Sequence, residues 1–98
     1  MFQTSSGIIS TSFVTDSPYT PTSEEHFLAT DEGIEIILPS NPKPGKLYTV
    51  KDFSGRAKIN NITVSSESDT IDGKLTKVIN KNFGSITFIY NSIEWSTL

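Results

Sequence analysis

The chain has 98 residues, of which 35% are hydrophobic and 19% are charged, and it contains no cysteine. That length fits one domain, and the lack of cysteine excludes disulfides, thiolate metal ligands and thiol nucleophiles. A chain with so little apolar material often completes its core across a subunit interface in a symmetric homo-oligomer. The composition therefore predicts one small domain that associates with copies of itself.

Charge is distributed unevenly along the chain. Residues 1–42 carry six acidic side chains and no Lys or Arg, for a net charge of −6, whereas residues 43–98 carry eight basic and five acidic side chains, for +3. A nucleic-acid-binding surface normally combines a basic stripe with interleaved aromatic residues, and +3 spread over the second part does not predict one. We expect ordinary surface charge, with docking of the acidic part on a basic region of a neighbouring molecule as the alternative.

The first twelve residues contain no basic segment and no long apolar run, so a secretory signal is not expected. No apolar stretch approaches the roughly 20 residues that span a bilayer, so a membrane partner is not expected either.

Residues 1–25 are rich in Ser, Thr and Pro and predict an extended N-terminal arm. Pro18 and Pro21 disfavour helix, and one short strand is predicted within residues 7–14. Flexible termini without a function are usually more polar than this arm. Its large apolar side chains therefore favour contact with a partner, and a flexible terminus without a function is the alternative. The residues predicted to make this contact are Phe2, Ile8, Ile9 and Phe13.

Residues 26–98 predict a β domain, because short apolar groups alternate with Gly, Asn and Pro turns. Together with the strand in the arm, they give about eight short strands and an all-β, sandwich- or barrel-like fold. The predicted strands cover residues 26–30, 34–38, 47–51, 59 with 61–64, 75–79, 85–90 and 94–98. The side chains predicted to form the core or a subunit interface are Ile36, Leu38, Val50, Ile86, Phe88 and Trp95.

Catalytic chemistry is not predicted. His26 is the single histidine, and no serine lies in a nucleophile-elbow context. Asp52 and Asp72 lie in Gly-containing turns, where an aspartate usually accepts hydrogen bonds from the backbone. The acidic residues between Glu67 and Asp72 lack the order of a calcium-binding loop. We therefore expect no enzyme activity, no metal and no cofactor.

An ordered set of segments runs through the chain: VTDSPYT at 14–20, IEIILP at 34–39, GKLYTVKDFSGRA at 45–57, NITV at 61–64, TIDG at 70–73, GSI at 84–86, and Tyr90-Asn91 followed by Trp95. This set, within residues 13–98, resembles a module common in structural proteins of tailed bacteriophages. Two departures are Ser92, where such modules often have Gly, and the Gly-free loop 65–69. The resemblance implies a β-rich virion protein of fibres, tail tips or head surfaces, commonly trimeric.

One module and one short arm suit a small protein present in many copies. The first hypothesis is therefore a capsid decoration (cement) protein, a homotrimer that binds the major capsid protein through its arms. It would be made in the host cytoplasm and located at the head surface of the virion. The alternative is a tail-tip or fibre component that binds a host-surface glycan through aromatic faces. The candidate stacking residues are Tyr19, Tyr48, Tyr90 and Trp95.

Overall fold

The computed structural model describes residues 8–98, which form eight β-strands in two sheets around one core. The all-β class and the number of strands are as predicted. The strands are β1 (Thr11–Val14), β2 (Phe27–Thr30), β3 (Glu35–Leu38), β4 (Leu47–Asp52), β5 (Ile62–Ser66), β6 (Thr76–Ile79), β7 (Ser85–Tyr90) and β8 (Trp95–Thr97). The large sheet has the order β1-β2-β4-β7-β8, and the small sheet has the order β3-β5-β6. Residues 8–98 include no helix long and apolar enough to cross a membrane.

Alternation of side chains decides which face of each strand enters the core. In β4, Tyr48 and Val50 are buried while Leu47 and Thr49 point outward, which agrees with the prediction of Val50 as a core residue. In β3, Ile36 and Leu38 are both fully buried, also as predicted. A one-residue slip in either strand would place these apolar side chains in water, so burial fixes the register.

The first five strands follow a coiled path between the sheets. In the large sheet β1, β2 and β4 are parallel neighbours, and in the small sheet β3 and β5 are parallel, with Tyr19 forming a parallel bridge to Ile36. The chain therefore crosses from one sheet to the other and returns beside its previous strand. Antiparallel pairing of β6, β7 and β8 closes the far end. This path leaves β1 as an edge strand of the large sheet.

The core lies between the inner faces of the two sheets. Trp95, Tyr48 and Phe88 are the largest of its fully buried side chains. The Trp95 ring lies 5.7 Å from that of Tyr48 and 5.4 Å from that of Tyr90, measured between centroids. Burial of an apolar side chain of this size contributes about 1.5–3 kcal/mol to stability.

The segment predicted as an arm joins the fold from residue 10 onward. All of β1 pairs with β2, and Val14 belongs to the core with 2% of its surface exposed. Tyr19 donates its backbone N–H to the Glu35 carbonyl and accepts from the Ile37 N–H, both at 2.9 Å. The described part of this segment thus contains one strand, β1, within the range predicted for it, and is hydrogen-bonded to both sheets.

Candidate docking surface

Four large apolar side chains are exposed near the edge of the large sheet that β1 forms. They are Ile8, Ile9, Phe13 and Phe53, with 82%, 58%, 59% and 62% of their surface exposed, and we call them the N-terminal patch. The rings of Phe13 and Phe53 meet edge to face with centroids 5.2 Å apart. Aromatic and aliphatic side chains held at the surface in this way are typical of protein docking sites.

Three of these residues, Ile8, Ile9 and Phe13, are the described members of the predicted contact set, and the fourth, Phe2, lies outside the described residues. Phe53 was not predicted, because in the sequence it lies inside a turn between Asp52 and Ser54. The one sign in the sequence that Phe53 is unusual is its position in a turn, where Gly, Asn, Asp, Ser and Pro are the common residues.

The outer face of the large sheet continues from Phe13. Cross-strand register places Phe13 beside Ala29, Phe27 beside Thr49, and Leu47 beside Ile89. These side chains are partly or largely exposed, and the Thr49 and Thr87 hydroxyls hydrogen-bond to each other at 2.8 Å. The Nζ of Lys51, the charged group of this face, donates to the Phe83 carbonyl at its margin. The outer face is thus mainly apolar and hydroxylic.

The residues predicted for the core or a subunit interface lie in the core of one protomer. Ile36, Leu38, Val50, Phe88 and Trp95 have no exposed surface, and Ile86 packs partly buried against them. A subunit interface that used the fully buried side chains would require the sheets to separate. The outer face and the N-terminal patch supply the exposed apolar side chains instead.

A buried carboxylate braces the segment that leads from β1 to β2. Glu25 accepts hydrogen bonds from the Ser12 hydroxyl, from the Tyr19 hydroxyl at 2.6 Å and from the Thr22 N–H at 2.6 Å. Burial by itself raises the pKa of this carboxyl, but the three hydrogen bonds outweigh it, so the pKa is lowered below its ordinary value. We call this arrangement the Glu25 brace.

Lys46, just before β4, and Tyr48, within β4, add further hydrogen bonds to the segment that contains Glu25. The Lys46 ammonium donates to the carbonyls of Ser23 and Glu25, each at 2.7 Å, and burial lowers its pKa. The Tyr48 hydroxyl donates to the Thr22 carbonyl at 2.9 Å, and burial raises the pKa of Tyr48 to about 12. Sequence patterning gave no sign of these contacts, because acidic and basic residues near prolines normally indicate a solvated loop.

A cavity of about 560 Å³ lies beside the brace, lined mainly by residues 21–23 and 39–43 with Lys46 and Tyr48. Its lining is prolyl and hydroxylic, with two lysines.

Tyr48 and Trp95, two of the aromatic residues considered for glycan stacking, are fully buried in the core. Tyr19 and Tyr90 are partly buried against the core.

The turn aspartates serve the backbone, as predicted. Asp52 is fully buried and accepts from the Ser54 hydroxyl at 2.7 Å and from the N–H groups of Ala57 and Phe83, each at 3.0 Å. Asp72 accepts from the N–H and the hydroxyl of Thr97 at 3.1 and 2.5 Å. Within residues 8–98, no three potential metal-ligating side chains gather at one point.

No protein-family model matches the chain, and no curated protein matches it. A proposal about function therefore depends on the exposed surface of the fold.

Proposed function

We propose that this protein is a virion structural protein of a tailed bacteriophage that decorates and stabilises the capsid shell. The observation that carries the proposal is the N-terminal patch, in which four large apolar side chains are held in water at the edge of a braced sheet. The role proposed is structural and not enzymatic.

Rigidity around the patch supports docking over accidental exposure. Phe13 lies in β1, which is paired along its length with β2, and Phe53 follows directly after β4. The Glu25 brace fixes the segment that leaves β1. A surface prepared in this way loses little conformational entropy on binding, which favours affinity from a small contact area.

The outer face extends the area available to the shell. It adds Phe27, Ala29, Leu47 and Ile89 to the patch as a flat surface of low charge. Each copy would bury a modest area, and many copies on one lattice would couple neighbouring shell subunits through effective concentration. The form that binds is expected to contain the trimer predicted from the resemblance, so light scattering of the purified protein should give three copies or a multiple of three.

Copy number per virion tests the location. Quantitative mass spectrometry against the major capsid protein is expected to give a ratio near one copy per capsid subunit. A handful of copies in multiples of three or six would contradict decoration and indicate the tail.

Shell stability tests the mechanism. Shells prepared without this protein should release their contents at a lower temperature, and adding the purified protein should restore the difference. The test variant combines Ile8→Ser with Phe13→Ser. The matched control combines Ile93→Ser with Leu75→Ser, whose side chains are 81% and 77% exposed and belong neither to β1 nor to the turn that carries Phe53. Equal protection of shells by both variants would overturn the assignment of the patch.

A further inference from the structure

Three of the four sheet edges in the described part of the chain are protected against pairing with another strand. The edge of β3 is covered by Tyr19, which exchanges backbone hydrogen bonds with Glu35 and Ile37. The edge of β8 is covered by residues 70–72, since Trp95 bonds to Thr70 and Asp72 through the backbone. The edge of β6 carries Lys77 and is flanked by Lys74 and Lys81. Covering loops and edge lysines are the usual means of preventing edge-to-edge association.

The fourth edge is that of β1, which carries no lysine and which no bridge or strand from residues 8–98 covers. The carbonyls of Ser10 and Val14 accept hydrogen bonds from the β2 side of the sheet, at 3.0 Å from Phe27 N–H and 3.0 Å from Asp31 N–H. Since the direction of backbone groups alternates along a strand, Thr11 and Phe13 direct their N–H and C=O groups away from β2. Both residues are exposed, and within residues 8–98 no strand pairs with these outward-facing groups.

The sequence around this edge also favours pairing. Residues 1–15 contain no charged side chain, and residues 8–14 read IISTSFV, with neither Pro nor Gly. Ile, Val, Thr and Phe have high strand propensity, and an uncharged segment can lie beside an identical copy without repulsion. An open edge of this composition is a template for another strand.

We propose that the edge of β1 is the contact between two copies of this chain, with β1 paired antiparallel to β1 of the second copy across a twofold axis at Thr11. A twofold contact uses the same residues on both sides, and the uncharged edge is self-complementary in this sense. The two large sheets then form one continuous sheet.

The register follows from the direction of the free groups. The backbone groups of Thr11 and Phe13 face the edge, so Thr11 forms a hydrogen-bonded pair with Thr11 of the second copy. On each side of the axis, Ile9 of one copy then lies opposite Phe13 of the other. Ile9 and Phe13 are 58% and 59% exposed in one protomer, and cross-strand contact covers part of both. Their side chains stay on the outer face, so the two N-terminal patches join into one.

This inference does not depend on capsid decoration. It requires only that the protein in solution contain an even number of copies: two where the protomer associates through β1 alone, and six where the predicted trimer also forms. A monomer or a trimer that persists over a wide range of concentration would overturn it.

The test is the mass of the purified full chain, measured by sedimentation velocity over a concentration series, for the unchanged protein and for Thr11→Lys and Thr11→Ala. Lysine places two like charges face to face at the axis and should halve the mass, with partial recovery at high salt because salt screens the repulsion. Alanine keeps the backbone and the neutral side chain and should leave the mass unchanged. Equal masses for all three proteins would contradict the proposal.

Three further measurements separate pairing through β1 from misfolding of a variant and from contact through residues 1–7. The lysine and alanine variants should melt at similar temperatures when both are dilute, because Thr11 is exposed in the protomer. Amide hydrogen exchange at Thr11 and Phe13 should be slow in the paired protein and fast in the lysine variant. Deletion of residues 1–7 should leave the mass unchanged, and a halved mass would instead assign the contact to those residues and overturn pairing through β1.

Discussion

The Tyr19 hydroxyl donates a hydrogen bond of 2.6 Å to the Glu25 carboxylate, which also accepts from the Ser12 hydroxyl. Tyr19 pairs with the small sheet through its backbone, and Ser12 lies in the large sheet. One buried carboxylate therefore joins the first strand of the large sheet to the edge of the small sheet.

The substitution Glu25→Gln should lower the free energy of unfolding by about 1–3 kcal/mol, because an amide is a poorer acceptor and leaves a buried hydroxyl poorly paired. Glu24→Gln is the matched control, since Glu24 is exposed and should tolerate the change. Urea unfolding of both variants measures the difference, and equal stabilities would show that the brace contributes nothing.

Acid should destabilise the protein through the same carboxylate. The pKa of Glu25 is lowered from 4.5 in the folded state, so its contribution to stability is present above pH 4.5 and is lost as the pH falls through the lowered folded value. Asp52, whose pKa is lowered from 3.8, should add a further loss below pH 3.8. Melting temperature recorded against pH should therefore fall less steeply below pH 4.5 in Glu25→Gln than in the unchanged protein. Parallel curves would contradict this.

Trp95 should report on the core and not on a ligand. It is the single tryptophan and is fully buried between Tyr48 and Tyr90, so its fluorescence should be blue-shifted and should not change when glycans are added. Trp95→Ala should cost about 3–5 kcal/mol through cavity formation. Trp95→Phe should cost less, because it removes Nε1, the one buried side-chain nitrogen or oxygen without a hydrogen-bond partner among residues 8–98.

Gly84→Ala should destabilise the protein although the backbone at Gly84 is compatible with any residue. An added Cβ would lie 2.8 Å from the Lys81 carbonyl oxygen, a backbone atom that cannot rotate away. We expect a loss of about 1–3 kcal/mol, the range found for overpacked sites. Ser85→Ala, at the exposed neighbouring position, should cost little, and equal losses in thermal unfolding would contradict the steric reason.

Ser92→Gly should stabilise the protein by about 1 kcal/mol, because Ser92 has a φ of 83°, in the left-handed region where a Cβ is strained. Ser85→Gly should have the opposite sign, since glycine inside a strand lowers stability. Chemical denaturation of the two variants gives the comparison, and a loss of stability in Ser92→Gly would overturn the expectation.

Local patterns predicted most of the strands. The predicted strand at 34–38 contains β3, and the strand at 85–90 coincides with β7, because alternation and turn residues are signals carried within a few positions. The predicted strand at 94–98 likewise contains β8. Such signals do not extend to pairing between distant strands, so the parallel coil from β1 to β5 was not predicted.

The candidate surface was predicted in part. Ile8, Ile9 and Phe13 attract attention as apolar residues in a polar segment, and the structure exposes all three. Phe53 joins them only because β1 and β4 both lie in the large sheet, which no local pattern encodes. Glu25 is buried because Ser12, Tyr19 and Thr22 converge on it, and an isolated acidic residue in a sequence indicates only solvent exposure.

The coiled path allows the connecting turns to vary in length but does not allow the strands to do so. Thr11 pairs with Phe27, and Phe27 pairs with Thr49, so one circuit of the chain takes 16 residues and the next takes 22. The strands keep their register across this difference, which the connecting turns absorb. Foreign peptides inserted after Pro42 should therefore be accommodated, since loop closure becomes only slightly less favourable with length. A single residue inserted into β2 would instead turn the remaining side chains of that strand to the opposite face of the sheet.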